Sequence, residues 1–261
     1  VAADPDYLSL NGGWTVEANG ETRPIDKPKT HVELGLPRDA SVVYRKTVQL
    51  PSGWRGRNVQ FVFDAEGWFW GIAPKAKLTV RGKDVSFSAV FGVDVVATKE
   101  HEFVSNDGRF EIELKIDGSV PAPKMPSGVT GEFFLRRLPK ADEIVPITEA
   151  YACTDYGVRR GVKPGEKVPH RFFELRFPTP CTDGRLWLKT GRPIQGVFLN
   201  GRAVETRNAW MKCLDITNLV RRDGETNVLY WSPEVGINHG VPQKPVNDAF
   251  AGAALWISNS K

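Results

Sequence analysis

The chain has 261 residues, of which 41% are hydrophobic and 25% are charged, and its formal net charge at pH 7 is +4. These values are typical of a globular protein with room for two domains. No stretch approaches the ~20 consecutive apolar residues of a membrane span. The basic residues are interspersed with acidic ones and form no concentrated stripe of the nucleic-acid-binding kind. We therefore expect neither a membrane span nor a nucleic-acid partner.

The hydrophobic pattern predicts β-strands along the whole chain. Short runs rich in β-branched and aromatic residues alternate with polar residues, and the 19 prolines and 25 glycines separate these runs. No stretch has the period of an amphipathic helix of three turns. The predicted strands are 42–50, 58–64, 77–81, 109–116, 132–138, 171–177, 185–190, 195–199, 227–231 and 253–257. This pattern predicts an all-β protein.

The two halves of the chain share an internal repeat. The segments YRKTVQLP, LTVRGKDV and NDGRFEIEL of the first half correspond in order and spacing to FFELRFP, VFLNGRAV and RDGETNVLY of the second. Duplication of one β-sandwich explains this better than a single large sheet. We predict an N-terminal sandwich at 1–145, a linker or strap at 146–168 and a C-terminal sandwich at 169–261.

Several motifs resemble the sugar-binding jelly-roll domain of family 2 glycoside hydrolases, which include β-galactosidases, β-glucuronidases and β-mannosidases. The segments LSLNGGW at 8–14 and YRKTVQLP at 44–51 resemble the opening of that domain. The hairpin VFLNGRAV and the segment that runs from Asp215-Ile-Thr217 through Leu219 to DGETNVL resemble its later part. The resemblance implies two tandem β-sandwich domains of the galactose-binding-like jelly-roll type. It also implies carbohydrate binding, with a polysaccharide or oligosaccharide as the partner.

The motifs have local physical explanations that concern the scaffold. Asn200-Gly201 supplies the left-handed conformations of a two-residue type I′ hairpin turn. Asp215 and Thr217 suit side-chain capping of a tight turn. Asn227 is placed to satisfy backbone groups where a loop re-enters the sheet. These features predict architecture better than activity.

The same resemblance leaves catalysis open. In family 2 enzymes two glutamates of a (β/α)₈ barrel perform hydrolysis, and two sandwiches leave no room within 261 residues for a barrel of about 250. We therefore transfer no catalytic glutamate to this sequence. The favoured interpretation is a glycoside-hydrolase-associated carbohydrate-binding protein that serves polysaccharide degradation. We expect it to be secreted or periplasmic, because Val1-Ala-Ala-Asp4 resembles the small-residue sequence left by signal-peptide cleavage.

Tryptophans in predicted loops are candidates for sugar binding. The C–H faces of sugar rings stack on flat aromatic side chains, while their hydroxyls need polar partners nearby. Trp14, Trp187 and Trp256 lie in strand-like patterns and are predicted to be core residues. The predicted ligand-binding tryptophans are Trp54, Trp68, Trp70 and Trp210. The alternative is that these side chains close the ends of the sandwiches.

Adjacent arginines form a second candidate site. Arg159 and Arg160 lie in a non-repetitive segment that starts at Tyr151, and arginine forks match carboxylates or sulfates. We predict that both bind ligand, and a solvated strap between the domains is the alternative. An enzyme is the second hypothesis: a small lyase or hydrolase acting on a uronate-containing glycan at the inter-domain cleft. A lyase would use Tyr156, Arg159, His170 and His239, whereas no pair of carboxylates is singled out for hydrolysis. A purely structural module that mediates protein contacts is a third hypothesis.

The sequence predicts no cofactor and no metal-ligand spacing among the four histidines. The acidic turn at 105–108 has the oxygen ligands that a structural calcium takes, and a plain hairpin turn is its alternative. Cys153, Cys181 and Cys213 show no disulfide framework. We predict buried free thiols, although one bridge in an oxidising compartment stays open.

Overall fold

The structure is a computed structural model that describes residues 6–54, 56–65, 76–85, 103–104, 108–117, 127–153, 159–166, 172–191, 196–205, 213–231 and 250–258. Within these ranges the regular structure consists of strands and short 3₁₀ turns, among them Ser52–Trp54 and Ala141–Glu143. No helix in these ranges is long and apolar enough to span a membrane. The all-β prediction is therefore confirmed.

The chain divides into two compact units, Val1–Leu138 and Pro139–Lys261, which we call the N-terminal and C-terminal units. The N-terminal unit contains these strands: β1 (Tyr7–Ser9), β2 (Trp14–Ala18), β3 (Glu21–Ile25), β4 (Val42–Gln49), β5 (Asn58–Ala65), β6 (Ala76–Val80), β7 (Lys83–Val85), β8 (Phe103–Val104), β9 (Arg109–Ile116) and β10 (Gly131–Arg137). The C-terminal unit contains these: β11 (Ile144–Pro146), β12 (Glu149–Cys153), β13 (Arg159–Val162), β14 (Phe172–Pro178), β15 (Arg185–Lys189), β16 (Val197–Leu199), β17 (Arg202–Ala203), β18 (Cys213–Asp215), β19 (Thr226–Trp231) and β20 (Ala254–Ser258).

Each unit is built from a six-stranded and a four-stranded antiparallel sheet. In the N-terminal unit the strand orders are β3-β2-β4-β9-β6-β7 and β1-β10-β5-β8. In the C-terminal unit they are β13-β12-β14-β19-β16-β17 and β11-β20-β15-β18. Adding ten to every strand number converts the first pair of orders into the second. The two units thus share one topology, as the sequence repeat predicts.

The hairpin that closes each six-stranded sheet fixes a common register. Arg81 and Gly82 have φ values of 53° and 72°, and Asn200 and Gly201 have φ values of 52° and 78°. Positive φ at both central residues is the requirement of a type I′ turn, whose twist matches that of the flanking strands. The turn predicted at Asn200-Gly201 is confirmed.

Counting residues along the paired strands from these two turns assigns positions of one six-stranded sheet to positions of the other. Val80, which precedes the first turn, pairs with Ile112, and Leu199, which precedes the second, pairs with Leu229. We call positions reached by the same number of steps register-equivalent. Because side chains alternate between the faces of a strand, register-equivalent residues point to the same face of their sheets.

Alternation along the strands builds one core per unit. In β9 the side chains of Phe110, Ile112, Leu114 and Ile116 are buried, whereas the residues between them are exposed or half-buried. In the C-terminal unit the core contains Leu175, Leu199, Leu229 and Phe250, among others. Trp14 and Trp187 are buried as predicted, and Trp256 is half-buried.

The predicted capping interactions are present. The backbone N–H and the hydroxyl of Thr217 both donate to Oδ1 of Asp215, at 3.0 and 2.6 Å. The buried carboxamide oxygen of Asn227 accepts hydrogen bonds from the backbone N–H of Arg221 at 2.7 Å and from Nδ2 of Asn200 at 2.9 Å. These bonds tie the loop before β19 to the hairpin of β16 and β17.

Two sequence expectations differ from the structure. The segment 146–168, predicted as a linker, contains β12 and β13, which pair with each other and, through β12, with β14. The inward residues of β12 are Ala150 and Ala152, so its hydrophobic alternation is weak in the sequence although both are buried. The three cysteines are free thiols, but Cys181 is exposed and only Cys213 is fully buried.

Candidate functional site

The outer face of the six-stranded sheet in the C-terminal unit exposes large aromatic side chains. Phe172, Phe198 and Tyr230 are 46%, 40% and 41% exposed, respectively. They alternate with buried neighbours such as Phe173 and Leu229, so strand geometry directs them away from the core. Tyr151 lies between two buried alanines and points to the same side. We define the aromatic face by four residues: Tyr151, Phe172, Phe198 and Tyr230.

Three of these residues lie in one row across the sheet. Tyr151 pairs with Glu174, Glu174 pairs with Tyr230, and Tyr230 pairs with Phe198. Neighbouring strands lie about 4.8 Å apart, so a row over β12, β14, β19 and β16 spans three spacings, or about 14 Å. The row is therefore longer than a single sugar ring.

Two arginines converge on Tyr151 and Glu174 at one end of this row. The guanidinium carbon of Arg159 lies 3.5 Å from the centroid of the Tyr151 ring, and that of Arg176 lies 5.5 Å from it. Nη2 of Arg159 donates to Oε1 of Glu174 at 2.7 Å, and Nε of Arg176 donates to the same oxygen. The aromatic ring and the carboxylate together hold both guanidinium groups in place. We call these four residues the arginine cluster.

The arginine cluster favours the charged form of Glu174. Burial raises the pKa of the Glu174 carboxyl, but the hydrogen bonds from Arg176 and Arg159 outweigh burial and hold that pKa below its ordinary value. The carboxylate in turn raises the pKa of Arg176. Only 3% of the Glu174 side chain is exposed, against 38% for Arg159 and 34% for Arg176. The carboxylate is thus a buried anchor, while parts of both guanidinium groups face solvent.

An open depression of mixed polar and apolar lining adjoins the arginine cluster at the edge formed by β12 and β13. Its volume is about 460 Å³, and it is lined by Thr148, Glu149, Ala150, Tyr151, Gly161, Val162, Lys163 and Glu166. The hydroxyl of Tyr151 donates to Oε1 of Glu149 at 2.8 Å. This end of the sheet therefore offers both hydrogen-bond donors and acceptors beside the aromatic face.

The predicted site residues fall into three groups. Arg159 belongs to the arginine cluster, and Arg160 is an exposed residue on the same strand whose guanidinium lies 3.6 Å from Glu166. Trp54, predicted in an exposed turn, is only 4% exposed and belongs to the N-terminal core. That expectation of exposure is wrong, because the 3₁₀ turn at 52–54 directs the indole inward. The remaining predicted site residues lie outside the described residues: Trp68, Trp70, Trp210, Tyr156, His170 and His239.

The sequence does not predict the aromatic face, although it predicts three of the four strands that carry it, β14, β16 and β19. In VFL at 197–199 and in VLYW at 228–231 apolar residues stand at consecutive positions. Such runs are typical of strands buried on both faces, so nothing in them marks Phe198 or Tyr230 as exposed. The repeat carries a signal for Phe198, because the segments LTVRGKDV and VFLNGRAV align it with the polar Thr79. The equivalence of Glu113 to Tyr230 follows only from the strand pairing.

Metal binding finds no support in the described ranges. No group of three or more histidine, cysteine, aspartate or glutamate side chains there is arranged to hold a metal ion. Most of the acidic turn at 105–108, the predicted calcium position, lies outside the described residues.

Comparison with known proteins yields similar solved structures only. No family model and no curated protein matches the chain. A β-glucuronidase of Bacteroides uniformis is 14% identical over 86% of this chain, with a TM-score of 0.42. A glycosyl hydrolase family 2 member from Bacteroides cellulosilyticus is 13% identical over 87%, with a TM-score of 0.41, and a Ruminococcus gnavus β-glucuronidase is 11% identical over 88%, with a TM-score of 0.38. The chain spans 27%, 31% and 42% of the length of these three proteins, in the same order.

Proposed function

We propose that the protein binds carbohydrate and that the aromatic face of the C-terminal unit is its glycan-binding surface. The observation that supports this most directly is the exposure of Phe172, Phe198 and Tyr230 on one face of one sheet. Exposed aromatic side chains on neighbouring strands, such as the paired Tyr230 and Phe198, are a feature of interaction surfaces. The arginine cluster places hydrogen-bonding groups at the end of the same surface.

The chemistry of the face suits a sugar. Flat aromatic rings accept the C–H faces of pyranoses, and we take the value for a pair of aromatic side chains, about 0.5–1.5 kcal/mol beyond the buried area, as the order of magnitude for each such contact. The hydroxyls of a bound sugar need donors and acceptors in fixed positions. Arg159 and Arg176 supply donors, and the carboxylate of Glu149 supplies an acceptor. The resemblance of the sequence motifs to a sugar-binding jelly-roll domain supports the same proposal independently.

The fold itself does not require these aromatic residues. Thr79 and Glu113 occupy the register-equivalent positions in the N-terminal unit, within the same strand order. Because 40–46% of the surface of Phe172, Phe198 and Tyr230 stays in contact with water, these residues gain only part of the hydrophobic free energy that full burial gives. A role in binding explains the presence of Phe198 and Tyr230 at positions where the first repeat has a polar residue.

Affinity electrophoresis tests the proposal. The full chain is run in native gels that contain a panel of neutral and uronate-bearing polysaccharides, beside the variants Tyr230→Ala and Phe198→Ala. We expect retardation of the wild type by at least one polymer and a roughly tenfold loss of affinity in each variant, equivalent to about 1.4 kcal/mol. Thr79→Ala, at the position of the N-terminal unit that is register-equivalent to Phe198, is the matched control. We expect this variant to be retarded as strongly as the wild type.

Two results would contradict the proposal. Wild-type mobility unchanged by every polymer removes carbohydrate binding, and equal retardation of Tyr230→Ala and wild type removes the aromatic face as its site. The same incubations, followed by absorbance at 235 nm and by reducing-end assay, report on the lyase and hydrolase hypotheses. Of the four residues that a lyase was predicted to use, only Arg159 lies within the described ranges.

A further inference from the structure

The length and charge of the aromatic face narrow the class of glycan that fits it. We propose that the face binds an extended run of three or more uncharged sugar units that crosses the strands, in preference to a single terminal sugar or a uronate. This inference rests on the proposed function and adds the size and charge of the ligand to it.

The length follows from the register. The arginine cluster lies on β12, β13 and β14, Tyr230 lies on the next strand, β19, and Phe198 lies on β16 beyond it. Because the guanidinium of Arg159 lies over the Tyr151 ring on β12, a ligand that contacts both this guanidinium and Phe198 must cover about 14 Å, or three strand spacings. One pyranose ring covers about one spacing, so a monosaccharide reaches either the polar end or the aromatic end. Only a chain of sugars contacts both.

The orientation of the ligand along the row follows from the same strand pairing. Tyr230 and Phe198 are paired residues on neighbouring strands, and their side chains stand side by side on the outer face. The ring of Tyr151 is already covered by the guanidinium of Arg159 at 3.5 Å, so that ring supports the arginine and does not serve as a stacking surface. Stacking positions therefore lie at Tyr230 and Phe198, and hydrogen-bonding positions lie at the opposite end of the row.

Charge balance distinguishes a neutral from an anionic ligand. The charged side chains of the arginine cluster and of the adjoining edge are nearly balanced, with three acidic residues, Glu149, Glu166 and Glu174, and four basic residues, Arg159, Arg160, Lys163 and Arg176. Both arginines that face the row are already ion-paired with Glu174. A uronate would have to compete with that buried carboxylate and would lie close to Glu149.

A neutral sugar avoids this competition. Its hydroxyls both donate and accept hydrogen bonds, so they use the solvent-facing N–H groups of the arginines and the carboxylate of Glu149 without displacing an existing ion pair. Ligand carboxylates only accept, and the acceptors already present would repel them. The arrangement thus favours neutral glycans even though it contains arginines.

Calorimetric titration with oligosaccharide ladders tests the inference. The probes are β-1,4-linked gluco-, manno- and xylo-oligosaccharides of one to six units and oligogalacturonates of the same lengths. We expect the affinity for a neutral ladder to rise at least tenfold between one and four units and then to level off. Oligogalacturonates of equal length are expected to bind at least tenfold more weakly.

A variant at the far end of the row sharpens the test. Phe198→Ala is expected to lower the affinity for the tetrasaccharide about tenfold and to leave the affinity for the mono- and disaccharide within twofold. Thr79→Ala, its counterpart in the N-terminal unit, changes neither. Circular dichroism and thermal unfolding of both variants establish that the fold is retained.

The outcomes separate the inference from the proposed function. Equal affinity for one and four units, or tighter binding of oligogalacturonates, overturns the inference while carbohydrate binding stands. If no oligosaccharide of any ladder binds but a polymer still retards the protein in the gel, the inference is again overturned while carbohydrate binding stands. Failure of every ladder together with unchanged mobility in every gel overturns the proposed function itself.

Discussion

In the N-terminal unit, the row that is register-equivalent to Tyr151, Glu174, Tyr230 and Phe198 is polar throughout: Thr15, Arg45, Glu113 and Thr79. Arg45 donates to Glu17 at 2.5 Å and to Glu113 at 2.9 Å, and all three side chains are well exposed. This is the pattern of a solvated sheet face with opposite charges on adjacent strands. The C-terminal row has the same pairing with aromatic residues at the positions of Thr15, Glu113 and Thr79.

The comparison distinguishes the structural features that both units share from those that one unit carries. Strand order, type I′ hairpin and core positions recur in both units, so they belong to the scaffold. Among the described residues, aromatic side chains occupy this outer row in the C-terminal unit and not in the N-terminal unit, as the proposed binding role predicts. A duplicated domain supplies its own reference in this way, because a paired strand position of one copy has a register-equivalent position in the other.

Residues that point towards the core provide the first test of the comparison, with the largest expected change in the free energy of unfolding. Leu175 is fully buried, whereas the register-equivalent Lys46 lies with its amine 6.0 Å from the centroid of the Trp14 ring and donates to the carbonyl of Gly12. Leu175→Ala is expected to lower the free energy of unfolding by about 2–5 kcal/mol, because it leaves a cavity. Lys46→Ala is expected to lower it by about 1 kcal/mol, through one lost hydrogen bond and lost packing of its stem. Urea denaturation of the full chain measures both.

The control for this pair is Thr47→Ala, an exposed change on the same strand as Lys46, which we expect to alter stability by less than about 0.5 kcal/mol. Equal losses for Leu175→Ala and Lys46→Ala would contradict this expectation and would mean that Lys46 stabilises its unit as much as the buried Leu175 stabilises the other.

Exchange of outer residues gives the second test. Replacing Tyr230 by glutamate and Phe198 by threonine gives the C-terminal row the residues of the N-terminal row at these two positions. If both rings stack on the ligand, the double variant loses at least about 100-fold in glycan affinity, equivalent to about 2.7 kcal/mol. Titration with the polysaccharide that retards the wild type measures the loss.

Stability distinguishes a functional from a structural role in this exchange. Because both residues are well exposed and their counterparts are polar, we expect the free energy of unfolding to change by less than about 1 kcal/mol. A double variant that unfolds readily would show that the aromatic face is covered by another part of the protein and is not a free surface. The reciprocal variant, with Glu113→Tyr and Thr79→Phe, is the matched control for effects of surface composition.

How far the sequence predicts this fold depends on the length and the alternation of each strand. The strand β9 was predicted with the bounds that it has in the structure, since eight residues alternate strictly between buried and exposed. The strand β3 was missed, because its residues are nearly all exposed and no alternation exists to be read. The strands β12 and β13 were missed because alanines supply the inward side chains of one and the other is an edge strand.

The site is harder to predict than the fold for a physical reason. Arg159 was found because adjacent arginines in an irregular segment are conspicuous, whereas Phe198 and Tyr230 resemble ordinary strand residues. Whether the second face of a strand is covered depends on what packs against it, which is a property of tertiary structure. Glu174 was overlooked for the related reason that its burial and its two arginine partners arise only when β13 and β14 flank β12.

The polar anchors of the two rows give the third test, with the smallest expected effect. Glu174 is buried and holds two arginines, whereas its register-equivalent, Arg45, is about half exposed and holds two glutamates. Glu174→Gln is expected to lower the free energy of unfolding at pH 7 by about 2 kcal/mol, because hydrogen bonds between charged groups are lost at a desolvated position. Arg45→Gln is expected to lower it by less than about 1 kcal/mol, because water and salt screen exposed pairs.

The pH dependence of this difference follows from the lowered pKa of Glu174. A carboxyl group whose pKa is lower in the folded than in the unfolded state stabilises the protein above the unfolded value of about 4.3, and this contribution is lost as the pH falls through the folded-state pKa. The stability difference between wild type and Glu174→Gln is therefore expected to be constant from pH 6 to 7 and to shrink below about pH 4. Urea denaturation at a series of pH values measures it. A difference that persisted unchanged to pH 3 would mean that Glu174 stabilises the sheet through its shape and not through its charge, so that the arginines of the C-terminal row would not depend on the carboxylate for their positions.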